Sequence, residues 1–391
     1  MLRGEYREGM RAADYRAWVL LPFNEDQIRE YLSAVLGQAR VDDALALFAR
    51  VHNLRELAER PYLLTLIADR IGELEARQVN GEAVRGVTLY ELLVDEWLQR
   101  DDGKHHLRPE DKLTLMEEIA AEMWQDGSRE WPWRRVLAWL GKRLVRDEVL
   151  RSRYAKDAPE ILEEDFRTAT FVLRPDDSQE GFRFAHTSLQ EYFLARYLLQ
   201  ALVDNEPGKW AIPFPSPETL DFLGQLLETS SVRERHRAMS TLEDLLGTYR
   251  PSATDIALRY WMVAIAYDLP APTPWHVDLH EADLSGLMIR GRSPEELLNL
   301  VDANLTETQL IATHFEYVDR SGADLTRTQA ERAEFHDVQA RDITLSEANM
   351  TGTIWRHCDA LGLQGGMSAD WYECQWIACN LDAGTLPEDF G

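Results

Sequence analysis

The chain has 391 residues, 45% of them hydrophobic and 28% charged, and its formal net charge is −26. That balance supports buried cores rather than disorder, and the length asks for two to four domains. It excludes a general basic surface for nucleic acid, a disulfide framework (three cysteines, all after residue 357) and a bilayer span, because no apolar run nears the roughly 20 residues required.

The opening "MLRGEYREGMRAADYR" has charges where a signal peptide needs an apolar stretch, so a soluble, cytoplasmic protein is expected. "FNEDQIREYLSAVLGQ" predicts a helix, with Asn24 as N-cap and Gln27 three residues on. Ile28, Tyr31, Leu32 and Leu36 follow at helical spacing, and Gly37 is a stop. Further helices are expected at about 42–58, 61–76, 88–100, 109–125, 131–147, 187–203, 217–229 and 233–247, with "YWMVAIAY" as another core helix. Pro61 reads as a proline in a first helical turn, where its missing N–H does no harm. The tryptophans of "EWPWRRVLAWL" sit at helical spacing and are expected in a core or domain contact. His105 and His106 lie in a polar loop and are expected to be exposed.

"RTATFVLRPDDSQEGFRFAH" has two strand-like runs around a polar turn with Gly181, a hairpin signal. Thr187 then begins a helix, with Gln190 at capping-box spacing. His186 lies beside that helix N-terminus, where free N–H groups favour anions. For a lone histidine the plainer role is capping or packing.

After residue 275 the period changes to five. Apolar or small residues recur at Leu305, Leu310, Phe315, Leu325, Ala330, Phe335, Ala340, Leu345, Met350, Trp355 and Ala360. A small or β-branched residue lies two positions before each, as at Ala303, Thr308, Thr313, Ala323 and Thr328. A period of five fits neither helix nor flat strand; it fits a square coil with one large and one small inward side chain per side. Arg320 breaks the pattern at a centre position. "GRSPEELLNL" reads as an inserted helical turn or loop, and after Ala360 the register slips by one residue. Cys358, Cys374 and Cys379 all fall in the small inward slot, where cysteine packs as a small hydrophobe, so no metal site is expected.

Segments such as "ADLSG", "ANLTE" and "ADLTR" resemble the pentapeptide-repeat family, which implies a right-handed quadrilateral β-helix. Four stretches in order resemble the C-terminal part of a NACHT-type NTPase of the STAND class: "VLLPFNEDQIREYL", "LRELAERPYLLTLIADRI", "VTLYELLVDEWLQRD" and "FRFAHTSLQEYFLARYL". That resemblance implies a mainly helical part with a winged-helix module. It divides the chain into the end of an NTPase core with a small helical domain (1–83), a winged helix (84–203), a helical linker (204–275) and the β-helix (276–391). It also implies nucleotide-facing roles for His186 near the ADP β-phosphate, Pro61 on the adenine side and Arg3 at the end of the core's sensor strand. ADP or ATP would be the cofactor only with a nucleotide-binding core, and no G-x-x-x-x-G-K-[ST] loop occurs here. No catalytic constellation emerges, so the chain is not expected to be an enzyme on its own.

The function expected from the resemblance is the regulatory and sensor region of a nucleotide-controlled signalling protein, in bacteria serving antiphage defence. A protein partner or trigger ligand would bind the β-helix or helical domain and oligomerisation would follow. No membrane and no direct nucleic-acid contact are expected. The alternative is an acidic pentapeptide-repeat binding module, a DNA mimic or a scaffold. From Asp278 onward the sequence has 21 acidic and 7 basic residues, a net of −14.

Overall fold

Asn24 and Gln27 satisfy each other's backbone, as their spacing predicts: Gln27 N donates to Asn24 Oδ1 at 2.9 Å and Asn24 N to Gln27 Oε1 at 3.0 Å. They open α1, Glu25–Leu36, which stops at Gly37 with φ +84°. The computed structural model describes residues 22–50, 55, 58–59, 61–79, 86–101, 106–154, 165, 172–173 and 181–382. Among them eleven α-helices precede a stack of parallel coils. The chain divides into two compact units, one ending at Leu93 and the other beginning at Val94.

In the first unit α1 is followed by α2, Val41–Arg50, and α3, Pro61–Val79. Their core holds Ile28, Leu32, Val41, Ala44, Leu64 and Ile67. Tyr31 Oη donates to Thr65 Oγ1 at 3.0 Å, and Thr65 Oγ1 donates to the Pro61 carbonyl at 3.0 Å, tying α1 to the first turn of α3. The division falls within α4, Gly86–Asp101.

The second unit continues with α5, Pro109–Gln125; β1, Trp131–Pro132; α6, Trp133–Arg146; and α7, Glu148–Tyr154. Next come β2, Val172–Leu173; β3, Gly181–Phe184; and α8, Thr187–Val203. The expected hairpin is present as the antiparallel pair β2–β3, although Gly181 belongs to the strand rather than the turn. A third strand, not anticipated, completes the sheet in the order β1-β3-β2, with Trp131 opposite Phe182. Trp131 and Trp133 are buried, as their spacing suggests, and His106 is exposed. His105 lies outside the described residues.

Helix α8 is apolar on nearly every side, which suits an element buried all round. It packs against α5 and against the two helices that follow, α9 (Pro217–Thr229) and α10 (Val232–Gly247). Leu189, Phe193, Leu194 and Leu198 are fully buried. One ion pair enters this packing: Arg196 Nε donates to Glu117 Oε1 at 2.7 Å, and burial raises the Glu117 carboxyl above its ordinary range. The last helix, α11, spans Ala253–Tyr267. No helix among the described residues is long and apolar enough to cross a membrane.

From Val277 the chain winds into coils of 20 residues. Strands β4 (Met288–Arg290), β6 (His314–Glu316), β8 (Glu334–His336), β9 (Ile354–Arg356) and β10 (Gln375–Ile377) stack as one parallel sheet. Strands β5 (Leu298–Asn299) and β7 (Val318–Asp319) begin the neighbouring side. Columns of parallel bridges such as Asn304–Asp324–Thr344–Gln364 and Gln309–Gln329–Asn349 build the other two. The result is a four-sided solenoid of five stacked levels, about four turns from first to last.

Every centre residue named above, from Leu305 to Ala360, is fully buried, and so are Ala303, Thr308, Thr313, Ala323 and Thr328 in the small slot. The pairing of Met288 with His314 is 26 residues apart instead of 20, so six extra residues lie between β4 and β5. They form a loop with a Ser293–Glu296 antiparallel bridge rather than a helical turn. The later slip falls between Gln364 and Asp370, because Thr344 still pairs with Gln364 while Asn349 pairs with Asp370. A short 3-10 turn, Gly366–Ser368, absorbs the extra residue.

Candidate functional site

His186 is the N-cap of α8. Its backbone is extended (φ −148°, ψ 152°), and its Nδ1 accepts the Ser188 N–H at 3.1 Å. The capping box expected between Thr187 and Gln190 is therefore not the cap: Thr187 is already helical, and an N-cap needs a residue outside the helix. Pro61 is the first residue of α3 and is half-buried. Arg3 lies outside the described residues. His186 and Pro61 belong to separate units.

The outer surface of the solenoid is built by the corners. The residue two after each centre adopts positive φ, as at Glu307 (59°), Arg327 (59°) and Glu347 (58°). Non-glycine residues rarely do this, and the bonds of both neighbouring coils hold them there: Glu307 N donates to Thr326 O and Arg327 N to Ser346 O, both at 2.9 Å. The acid or amide before a centre also has a local task. Asp324 Oδ1 accepts the Thr326 N–H at 2.9 Å and Asp319 Oδ1 the Ser321 N–H at 3.0 Å, each a turn closed by a short polar side chain. The carboxylates are thus required by the corners and remain on the outside.

From Val277 to Asp382 the sequence carries 19 acidic and 7 basic side chains, a net of −12. Several arginines are engaged by acids of adjacent coils. Arg327 bridges Glu307 at 3.1 Å and Glu347 at 3.0 Å, and Arg341 Nε meets Asp359 at 2.6 Å. Arg320 does not reach the surface at all. It is fully buried, its guanidinium lies over the rings of Phe315 (5.5 Å), Phe335 (4.1 Å) and Trp355 (4.7 Å), and none of the three guanidinium nitrogens makes a hydrogen bond. Burial pulls its pKa down to about 9.

On the side formed by β6 and β8, His314, Glu334 and His336 stand together, half-buried, with their ligating atoms all within 4.8 Å of one another. The spacing that assembles them was in the sequence: "HFE" at 314–316 and "EFH" at 334–336 are one coil apart. The three cysteines lie apart from this cluster. Cys358 is buried, and Cys374 and Cys379 are half-buried in the last coil. Burial pushes the Cys374 thiol up to about 11, as for a packed side chain.

A cleft of about 580 Å³ opens where α9 and α11 meet the first coil, lined in part by Arg259, Tyr267, Met288, Arg290 and Arg292. Three arginines converge there in an acidic protein. Arg290 pairs with Glu316 at 3.0 Å and Arg292 with Asp268 at 3.2 Å. Arg259 stacks over Phe214 at 3.9 Å, and its Nε makes no hydrogen bond.

A family model described as pentapeptide repeats matches residues 303–339 in eight copies. No curated protein matches the chain. Among solved structures, HetL, a pentapeptide-repeat protein involved in heterocyst differentiation regulation in the cyanobacterium Nostoc sp. strain PCC 7120, is 20% identical. The match covers 25% of this chain and 46% of HetL, with a TM-score of 0.20. Rfr23 from the cyanobacterium Cyanothece 51142 is 20% identical over 28% of this chain and 63% of its own, with a TM-score of 0.18. QnrB1, a plasmid-mediated fluoroquinolone resistance protein, is 16% identical over 27% of this chain and 79% of its own, with a TM-score of 0.12. The chain thus spans less than two thirds of the first two. The repeat match and the 20-residue coils identify the part of this chain after Val277 as a pentapeptide-repeat β-solenoid.

Proposed function

We propose that this chain is a binding module whose acidic solenoid docks onto basic protein surfaces, as a DNA mimic does. The observation that supports this is charge density. Five levels at the ~4.8 Å strand spacing stand roughly 24 Å tall. A net of −12 over that height is roughly one charge per 2 Å, against one per ~1.7 Å for duplex DNA. An acidic rod of this density attracts the surfaces that bind DNA and repels nucleic acid itself. The test is to titrate the intact chain into a panel of DNA-dependent enzymes. Inhibition that excess duplex DNA and raised salt both reverse is expected; no inhibition across the panel would overturn the proposal.

A second function is favoured by the helical part: the sensor region of a NACHT-type switch, with a winged helix formed by α4–α8 and the sheet β1-β3-β2. The order of helices, short strands and hairpin supports it. In that role His186 would approach a nucleotide phosphate, with Pro61 and Arg3 on the nucleotide side. His186 Nδ1 already accepts the Ser188 N–H and the sequence has no G-x-x-x-x-G-K-[ST] loop, so in this role the grip on the phosphates would belong to a nucleotide-binding core. The trigger of such a switch would be an anion in the arginine-lined cleft. Isothermal titration of the intact chain with ADP and with inorganic phosphate separates the two: binding lost in His186→Ala assigns the nucleotide role, and binding lost in Arg259→Ala assigns the cleft.

A further inference from the structure

The structure assigns a divalent transition-metal site to His314, Glu334 and His336. Two imidazoles and a carboxylate are a donor set for zinc, cobalt, nickel or iron in the +2 state. They project outward from consecutive coils, held by inward anchors: Phe315 and Phe335 between them are fully buried and stack at 5.3 Å. The backbone register places His314 beside Glu334, and the strand alternation puts His336 on the same face as Glu334.

The distances favour a metal over a hydrogen bond. His314 Nδ1 and His336 Nε2 each lie 3.4 Å from the same Glu334 oxygen, Oε2. Hydrogen bonds to a carboxylate are closer, about 2.7–2.9 Å. Ligands at ~2.1 Å around a tetrahedral ion stand roughly 3.4 Å from one another. His336 Nε2 is buried and makes no hydrogen bond, so it faces Glu334 as an orphaned donor or acceptor. Glu316, the acid of β6 that stands in register with His336, is held aside by Arg290 at 3.0 Å. Three protein ligands leave a fourth position for water or for a group of a docked partner. The ion would pin two adjacent coils together and lay a positive charge on an acidic tower. This goes beyond the docking function and does not depend on it.

The test is calorimetric titration of the chelator-stripped intact chain with zinc chloride, and with cobalt chloride followed by visible absorption. One ion per chain is expected, with no thiolate-to-cobalt charge-transfer band. His314→Ala and His336→Ala should each weaken binding at least about tenfold, and Glu334→Gln by several-fold, while Cys374→Ser and Cys379→Ser leave it unchanged. All three ligands face outward, so circular dichroism of these variants should match the parent chain. Absence of saturable binding, binding indifferent to the histidine and glutamate variants, or loss of binding in the cysteine variants would each overturn the assignment.

Discussion

Arg320 sits where the coils above and below place Leu300, Ala340 and Ala360, all fully buried. The small alanines leave room for the guanidinium to reach the aromatic stack of the adjacent side. Two terms oppose each other there. Removing an ion from water costs several kcal/mol even after relaxation. Each desolvated ring face returns about 0.5–2 kcal/mol, and three rings are in range. The two sums are of similar size, so the geometry decides. Lysine carries a compact, strongly hydrated charge that cannot lie flat on a ring. Arg320→Lys should therefore cost about 2 kcal/mol, whereas Arg320→Met, which removes the charge and fills irregular space, should stay within about 1 kcal/mol of the parent chain. Urea denaturation of both variants checks this; equal stability of the two would remove ring stacking as the compensation. The threonines of the small slot have a simpler role. Thr328 Oγ1 donates to the Leu305 carbonyl of the preceding coil at 2.7 Å, so Thr328→Val, nearly the same shape, should lower stability by about 1 kcal/mol in the same assay.

At the scale of elements, caps and close approaches set the boundaries. Asp147 starts α7 by accepting the N–H groups of Val149 (2.9 Å) and Leu150 (3.0 Å). The Leu150 N–H, with help from Arg143, holds its carboxyl below the ordinary value of 3.8. A folded-state pKa below the unfolded one adds stability above the unfolded value and loses it as the pH falls through the folded one. The stability gap between the parent chain and Asp147→Asn should thus be full above about pH 5 and shrink as acid protonates Asp147, which thermal melts across that range would show. Gly291 begins the loop between β4 and β5. A Cβ there would overlap the Tyr317 carbonyl and lie 2.7 Å from Leu298 N and 2.9 Å from Glu296 O, all backbone. Because backbone cannot step aside as a side chain does, Gly291→Ala should destabilise by about 1–3 kcal/mol, read as an earlier urea transition.

At the scale of the whole molecule, charge and repetition govern behaviour. Each coil buries its inner face only against its neighbours, so damage in one level should propagate along the stack. In the proposed docking role the acidic exterior would meet its partners through screened forces, whose reach is about 8 Å at physiological ionic strength. Complexes with basic proteins should therefore weaken steeply as salt rises from 50 to 300 mM, measured by titration of the intact chain; affinity flat across that range would place the binding energy in apolar contact instead.

The period of five was enough to name the inward centres from Leu305 to Ala360, because a square coil repeats one local geometry and each position announces its own environment; Leu279, Leu284 and Ile289, before the six-residue insertion, are equally buried but fall out of that register. The helices were legible for the same reason: caps such as Asn24 and Gln27 act within one turn. What the sequence left open lies at longer range. Thr187 and Gln190 have capping-box spacing, yet the cap is His186, since backbone conformation and not spacing decides which residue stands outside the helix. Strand β1 has two residues and no pattern of its own; it exists because Phe182 lies opposite Trp131. The charge of Arg320 is tolerated only because three rings from successive coils converge on it. His314, Glu334 and His336 are 20 and 22 positions apart, and only the stacking of one coil on the next brings their side chains to a common point.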